Sequence, residues 1–203
     1  MDSAKIRLSP EEAALVIRTD WILTKNRVIQ KTKQLLAALQ TEQQNLLRSH
    51  ANVFPEEIIN SSLKISKGEN YKGLPYLVLD YPKCFNKEDA LAIRMLFWWG
   101  NFFSGTLHLS GIYKIKYEEK IIRAFESLKT KDFSICINED QWEHHFETTN
   151  YLPLHTMTTC QFEEIIRKKF FIKLSKKISL EQWNDAEKNL LDIFVQLINT
   201  LAD

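Results

Sequence analysis

The sequence has little of the material from which disulfide-rich, zinc-bound or linker-connected proteins are built. Its three cysteines, Cys84, Cys136 and Cys160, are far apart and form no C-x-x-C pair, so neither a disulfide framework nor a structural zinc site is expected. Only five glycines and five prolines occur in 203 residues, which argues against long flexible linkers. We therefore predict a single domain over residues 1–203, with reduced thiols as in the cytoplasm.

The chain also lacks a dominant charge and a long apolar run. It has 27 basic and 26 acidic residues, for a net charge of +1, so no global attraction to nucleic acid or to an anionic membrane is expected. The most apolar stretch, residues 93–103, is broken by Arg94 and Gly100 and is too short to span a membrane. The first residues, Met-Asp-Ser-Ala-Lys, lack the apolar segment of a signal peptide. The sequence predicts a soluble, cytoplasmic protein without a membrane partner.

An amphipathic helical segment is predicted over about residues 10–50. Ser9-Pro10-Glu11-Glu12 is a typical helix start, because serine caps, proline suits the first turn and glutamates favour the positive end of the helix dipole. From residue 21 to residue 48 apolar side chains recur with helical period, as Trp21, Val28, Leu35, Leu39 and Leu46. At 1.5 Å per residue this helix would be roughly 40 Å long, longer than a compact domain needs. Part of its apolar stripe is therefore available for a partner.

The composition of residues 63–110 predicts paired extended segments. Residues 76–81 and 102–110 are rich in β-forming residues, and Lys67-Gly68-Glu69-Asn70 has turn chemistry. Residues 87–93 begin with the spacing of a helix cap, which predicts a short helix there.

The second half predicts mainly helices. Helical period covers residues 112–129, 160–169 and the segment after Ser179, and the cap-like spacing of Asn138-Glu139-Asp140-Gln141 predicts a short helix with Trp142 and Phe146. Residues 133–137 are predicted as a strand, and residues 170–175 fit either a strand or a helix extension. The fold class is therefore α+β, an antiparallel sheet of about four to six strands packed against N-terminal, central and C-terminal helices.

One candidate pocket lies on the strand over residues 102–110. Period two places Ser104, Thr106 and His108 on one face, and the neighbouring strand adds Arg94 and Trp98. Such polar and aromatic side chains can line a pocket for a small molecule or for an unusual enzyme, although a solvated sheet face has the same pattern. Ser104 and His108 would lie about 13 Å apart along the strand, too far for a nucleophile and its base, so no catalytic residue is assigned.

A basic patch is the candidate for nucleic-acid binding. Six basic residues fall within eleven positions beside two phenylalanines: Arg167, Lys168, Lys169, Lys173, Lys176 and Lys177. Basic and aromatic side chains together can hold a phosphate backbone and stack on bases. No nucleic-acid-binding motif is present and nearby glutamates dilute the charge, so a charged helix surface is the simpler interpretation.

A third segment contains residue types that bind metals. Glu143-His144-His145-x-Glu147 is followed by His155 and Cys160, but adjacent histidines on a helix point about 100° apart and no H-x-x-x-H spacing occurs. No metal and no cofactor are expected, and the segment is interpreted as a polar surface.

The leading functional hypothesis is a non-enzymatic protein that acts through protein–protein interaction, as a homodimer or with another protein. It depends on the long first helix and on the aromatic run Phe97, Trp98, Trp99, Phe102 and Phe103, because aromatic residues are enriched in interface cores. A small-molecule pocket around His108 and nucleic-acid binding remain open as alternatives.

Overall fold

A computed structural model describes residues 6–50 and 53–202. The helices are α1 (Pro10–Val16), α2 (Thr19–Ser49), α3 (Glu56–Ile59), α4 (Gly111–Arg123), α5 (Phe125–Thr130), α6 (Thr159–Lys168) and α7 (Ala186–Ala202). The strands are β1 (Lys64–Tyr71), β2 (Leu74–Phe85), β3 (Ala90–Trp98), β4 (Phe102–Ser110), β5 (Ser134–Cys136), β6 (Tyr151–Pro153) and β7 (Phe171–Ser179). Short 3₁₀ turns cover Leu154–Thr156 and Leu180–Asp185.

The predicted fold class is confirmed as α+β, with a sheet of seven strands within the described residues rather than four to six. None of the described helices combines the length and apolarity that a membrane crossing requires. Met1–Lys5, on which the expectation of no signal peptide depends, lie outside the described part of the chain.

The sheet is antiparallel throughout, in the order β1-β2-β3-β4-β7-β5-β6. Strands β1 to β4 follow one another as hairpins, and β7 then inserts between β4 and β5. A three-residue loop joins β3 to β4, with Gly100 at φ +70°, because such loops need one residue in the left-handed region. Residues 170–175, left open between strand and helix, belong to β7 apart from Phe170.

Two local predictions around the first strands are wrong. Residues 67–70 lie inside β1, and the chain turns instead at Lys72 and Gly73, both at positive φ. The predicted helix at residues 87–93 is a turn that leads into β3. Here the Asn86 side chain accepts hydrogen bonds from two backbone N–H groups that follow it, so the cap-like spacing closes a turn without starting a helix.

Two helix predictions in the second half also need correction. The helix over residues 112–129 is interrupted at Ala124 and divides into α4 and α5. The short helix predicted from Asn138 does not form, because the Asn138 and Asp140 side chains accept hydrogen bonds from backbone N–H groups two residues on, and these bonds form Asx turns. Residues 137–150, here called the strap, contain no helix or strand.

The main core lies between one face of the sheet and helices α2, α4 and α7. Alternate residues of β3 and β4, such as Ile93, Met95 and Leu107, point toward these helices and are fully buried. Gly105 lies on the same face, where an added Cβ would stand 2.5 Å from a side-chain carbon of Ile193 in α7. The absence of a side chain at residue 105 therefore lets α7 approach the sheet closely.

The opposite face of the sheet is covered by the strap. Phe146 of the strap stacks edge-on against Phe102 and in parallel with Tyr151, and Trp142 contacts His108. Strand β4 is consequently buried along its whole length, although its sequence alternates between polar and apolar residues. The polar half of this alternation therefore faces the strap and not water.

Candidate functional site

Polar residues form two rows across the face of the sheet under the strap. The strand register places Asp80, Arg94, Thr106 and Ser175 side by side on four successive strands. The neighbouring row contains His108 of β4 opposite Lys173 of β7, both almost completely buried.

Arg94 is held by a bidentate ion pair with Asp80. Its Nε and Nη2 donate to the two carboxylate oxygens at 2.7 and 3.0 Å, and the two side chains are only 17% and 9% exposed. Its Nη1 lies 3.1 Å from Nε2 of His144 in the strap. Since a guanidinium can only donate, this His144 nitrogen must be the unprotonated acceptor.

Lys173 is an almost fully buried ammonium, with 1% of its surface exposed. Its Nζ donates to the backbone carbonyl oxygens of Gln141 and Glu143 at 2.8 and 2.6 Å. Among the described residues it forms no ion pair with a carboxylate. Burial lowers the pKa of Lys173 to about 8, and the charge of Arg94 contributes to this decrease.

Two further contacts fasten the strap to the sheet. The Tyr71 hydroxyl accepts hydrogen bonds from the backbone N–H groups of His144 and His145 at 2.7 and 3.0 Å and donates to Glu143 at 2.8 Å. His108 Nε2 lies 2.8 Å from the side-chain oxygen of Gln141. Tyr71 and Lys173 thus give the strap backbone polar partners that a helix would have supplied, whereas Arg94 and His108 bond to side chains of the strap.

His108 and His144, which lie between the sheet and the strap, are neutral because they are buried. Burial, followed by the positive charge of Lys173, lowers the pKa of His108 to about 4. The same two causes, with the charge of Arg94 in addition, lower the pKa of His144 to about 2. Removing a proton-binding group from water disfavours its charged form, and nearby cations add to this effect.

Of the predicted pocket residues, the structure brings together Arg94, Thr106 and His108. They line a cavity of about 10 Å³ with His144 and Lys173, which is close to the smallest volume that holds one water molecule. No organic molecule fits there while the strap is in place.

The other two predicted pocket residues share the face but not the cavity. Trp98 packs against Tyr71 and Phe102 and donates its indole N–H to the Tyr71 carbonyl. Ser104 lies between Leu96 and Lys177 in the register.

The sequence interpretation missed Lys173 as a member of this site, because it had placed that residue in the basic patch. The missing signal was alternation: in a strand, Lys173 points away from its apolar neighbours Ile172 and Leu174 and toward the face of His108. His144 was also missed, since nothing local indicates that the strap crosses the sheet at Arg94.

The six residues of the basic patch do not form one surface. Arg167, Lys168 and Lys169 pair with glutamates on α4, α6 and the strap, and Lys173 is buried. Lys176 lies opposite Gly105 in the strand register, on the face covered by helices. Lys177 lies on the face covered by the strap, with its ammonium over the Phe146 ring. This dispersal gives no continuous groove for a phosphate backbone.

The remaining sequence candidates are distributed as follows. No group of three potential metal-ligating side chains is found in the described residues. His144 contacts Arg94 of the sheet, and the His145 ring lies near Glu143 and Glu147 of the strap. In the aromatic run, Phe97 and Phe103 belong to the main core, while Trp98 and Phe102 are covered by the strap. Trp99 is partly buried against the main core, so the run is mostly internal and does not form a continuous exposed aromatic surface.

A second candidate surface is the N-terminal arm, residues 6–24. Every residue in this range is exposed, and the first buried residue of α2 is Ile29. A capping box between Ser9 and Glu12 starts α1, and a 2.7 Å ion pair between Arg18 and Asp20 lies at the corner between the two helices. The arm therefore consists of α1 and the start of α2, joined at a corner, and lies outside the core.

The arm concentrates exposed apolar side chains. It contains eight of the fourteen large apolar residues that are exposed in the described part of the chain: Ile6, Leu8, Leu15, Val16, Ile17, Trp21, Ile22 and Leu23. Single exposed apolar residues are ordinary, but a contiguous group of them marks an interaction surface. Between α1 and α2 a groove of about 390 Å³ is lined mainly by Leu8, Leu15, Val16, Trp21 and Ile22.

Comparison with protein-family models, with curated proteins and with solved structures finds no match to this chain. The function is therefore inferred from these two surfaces alone.

Proposed function

We propose that this protein is a non-enzymatic interaction protein that self-associates, with the arm of one copy packing against the arm of a second copy. The observation that supports this proposal most strongly is the concentration of exposed apolar side chains on residues 6–24, which no other part of the described chain covers.

The shape of the arm favours a second copy as the occupant. The groove between α1 and α2 is concave and apolar, and Ile17 and Leu23, which do not line it, are 79% and 52% exposed on the same arm. An arm with both a groove and protruding apolar side chains can be complementary to itself, as a two-fold symmetric interface requires.

The charge of the arm favours the same occupant. Its described residues include the basic Arg7 and Arg18 and the acidic Glu11, Glu12 and Asp20. A helix that binds an anionic membrane surface carries a predominantly basic polar face, and a nucleic-acid site needs a basic stripe. A nearly balanced surface with both signs suits another copy of itself, since each charge can meet its opposite.

The expected affinity follows from the apolar area. The eight exposed apolar side chains of the arm contribute about 1 kcal/mol each, half of the roughly 2 kcal/mol for a fully exposed side chain, and both copies contribute. From this gross gain of about 16 kcal/mol an association cost in the middle of the range of about 4–15 kcal/mol is subtracted. The surplus of about 6–7 kcal/mol corresponds to a dissociation constant of tens of micromolar.

Sedimentation equilibrium of matched variants tests the proposal. Ile17→Asp removes a side chain that is 79% exposed, which is about 1.5 kcal/mol from each copy and about 3 kcal/mol in total, and should weaken self-association at least about 100-fold. Ile115→Asp is the control, because Ile115 of α4 is 71% exposed but lies outside the arm. Equal effects of the two substitutions, or none from Ile17→Asp, would contradict the proposal.

A further inference from the structure

The strap is a loop whose two ends are joined. The backbone N–H of Ile137 donates to the carbonyl oxygen of Asn150 at 2.8 Å, and this bond continues the pairing of β5 with β6. Compact loops of about 6–16 residues with adjacent ends are a recurring surface structure. Because the base of the strap belongs to the sheet, the middle of the strap can move away from the sheet without breaking a strand pair.

The middle of the strap is held to the sheet by hydrogen bonds from side chains. Two of these bonds involve an imidazole ring. Arg94 donates to an unprotonated nitrogen of His144 at 3.1 Å, and the His108 ring bonds to the side chain of Gln141 at 2.8 Å. A segment without helix or strand that is fastened in this way belongs to the parts of a protein that open locally.

The charged groups around His144 come from every strand beneath the middle of the strap. Three strands present nitrogen side chains that oppose a further positive charge: Arg94 of β3, His108 of β4 and Lys173 of β7. The carboxylate of Asp80 on β2 is already paired with Arg94. On β1, burial raises the pKa of Tyr71 to about 12, so its hydroxyl stays neutral.

The strap itself adds little that would favour a proton on His144. The carboxylate of Glu143 accepts a hydrogen bond from the Tyr71 hydroxyl at 2.8 Å and lies 3.4 Å from the ring of His145. His145 is a further titratable nitrogen group that opposes a positive charge on His144. His108 is subject to the same cations, Lys173 and Arg94, with Asp80 as the opposing charge.

A proton on His144 is therefore incompatible with the closed strap. It would occupy the nitrogen that accepts from Arg94 and would place a positive charge 3.1 Å from the guanidinium nitrogen, where like charges away from water repel strongly. When the strap is lifted, the ring enters water and binds the proton without this repulsion. We propose that the strap is a pH-sensitive cover, which acid opens while the sheet stays folded. Opening exposes the polar rows of the sheet, so access to this face depends on pH.

The size of the effect follows from the two imidazoles. The pKa values of His108 and His144 are about 4 and about 2 beneath the closed strap, against about 6.5 for a ring in water. The closed form therefore binds protons less readily than the open form. Between pH 7.5 and pH 5, each ring should raise the equilibrium constant for opening about 30-fold, and the two together about 1000-fold.

Hydrogen exchange of individual backbone amides, followed by NMR in the wild-type protein, tests the proposal. The probes are the N–H groups of His144 and His145, which donate to the Tyr71 hydroxyl. Each rate is divided by the rate of an unstructured peptide at the same pH. The protection of both amides should fall by up to about 1000-fold between pH 7.5 and pH 5, and at both pH values it should stay below that of paired amides in β3 and β4.

Two results in the wild type would overturn the proposal. One is protection of the strap amides that does not change with pH. The other is equal protection of the strap amides and the strand amides, which would mean that the strap opens only when the whole chain unfolds.

Two histidine variants identify the group that responds to acid. His144→Gln keeps an oxygen that can accept from Arg94 but does not titrate, so the fall in protection should shrink to about 30-fold. His155→Gln, at an exposed position, is the matched control and should keep the full fall. An undiminished fall in His144→Gln would show that His144 does not drive opening and would overturn the proposal.

Discussion

Acid should destabilise this protein already above the pH at which its carboxylates titrate, because two imidazoles are buried in the neutral form. The pKa values of His108 and His144 are about 4 and about 2 in the folded chain, against about 6.5 when unfolded. The folded state therefore binds these protons less readily than the unfolded state. Their contribution to stability is complete above pH 6.5 and is lost as the pH falls toward the folded pKa values.

The size of the loss at pH 5 follows directly. This pH lies about 1.5 units below the unfolded pKa, and each unit is worth 1.36 kcal/mol, so each histidine accounts for about 2 kcal/mol and the pair for about 4 kcal/mol. A typical domain has about 5–15 kcal/mol of stability, so the loss is large.

Urea unfolding at pH 7.5 and pH 5 measures this loss by linear extrapolation. In His144→Gln the loss should fall to about half, since the amide oxygen can still accept from Arg94 but does not titrate. His155→Gln, at an exposed position, is the control and should keep the full loss. A wild-type loss below about 1 kcal/mol, or an unchanged loss in His144→Gln, would refute the assignment of neutral buried imidazoles.

Three further substitutions test the packing around the sheet. Gly105→Ala should destabilise the fold by about 1–3 kcal/mol in urea unfolding, because the new methyl group overpacks against Ile193. Asp80→Asn should cost about 3–5 kcal/mol in the same assay, because it leaves Arg94 buried without its carboxylate. Tyr71→Phe should cost about 1–3 kcal/mol and should speed hydrogen exchange of the strap amides, which lose their acceptor.

Each of these three predictions would be contradicted by a specific result. An unchanged urea midpoint in Gly105→Ala would mean that α7 has room to move away from the sheet. Glu164→Gln is the control for Asp80→Asn, because it removes the carboxylate of an exposed ion pair with Lys168 and should cost less than about 1 kcal/mol. If Asp80→Asn cost no more than this control, burial would not make the Asp80–Arg94 pair more important for stability. Unchanged strap exchange in Tyr71→Phe would show that the hydroxyl does not fasten this segment.

The sequence was sufficient where the period of polar and apolar residues determines which side chains share one face of a strand or helix. The alternation of Ser104, Thr106 and His108, with Arg94 on the adjacent strand, correctly placed these side chains on one face, because β-pairing preserves period two. The amphipathic stripe of α2 was equally visible, and its core contacts at Leu36 and Leu39 follow helical spacing.

The sequence was insufficient where the local backbone structure depends on hydrogen-bond partners that are distant in the chain. Cap-like spacings at Asn86 and Asn138 predicted helices, but the same side chains satisfy N–H groups in turns, and local sequence cannot show which outcome wins. The strap keeps its irregular backbone because Tyr71 and Lys173, 72 and 30 residues from Glu143, bond to it. Lys173 looked like a surface charge because lysine is rarely buried.

The proposed self-association is tested most directly by the mass of the wild-type protein in solution. Size-exclusion chromatography with light scattering, run at concentrations from about 0.1 to about 100 times the expected dissociation constant, gives that mass. The proposal predicts a rise from the monomer mass of 23.9 kDa toward twice this value. A constant 23.9 kDa at every concentration would contradict it.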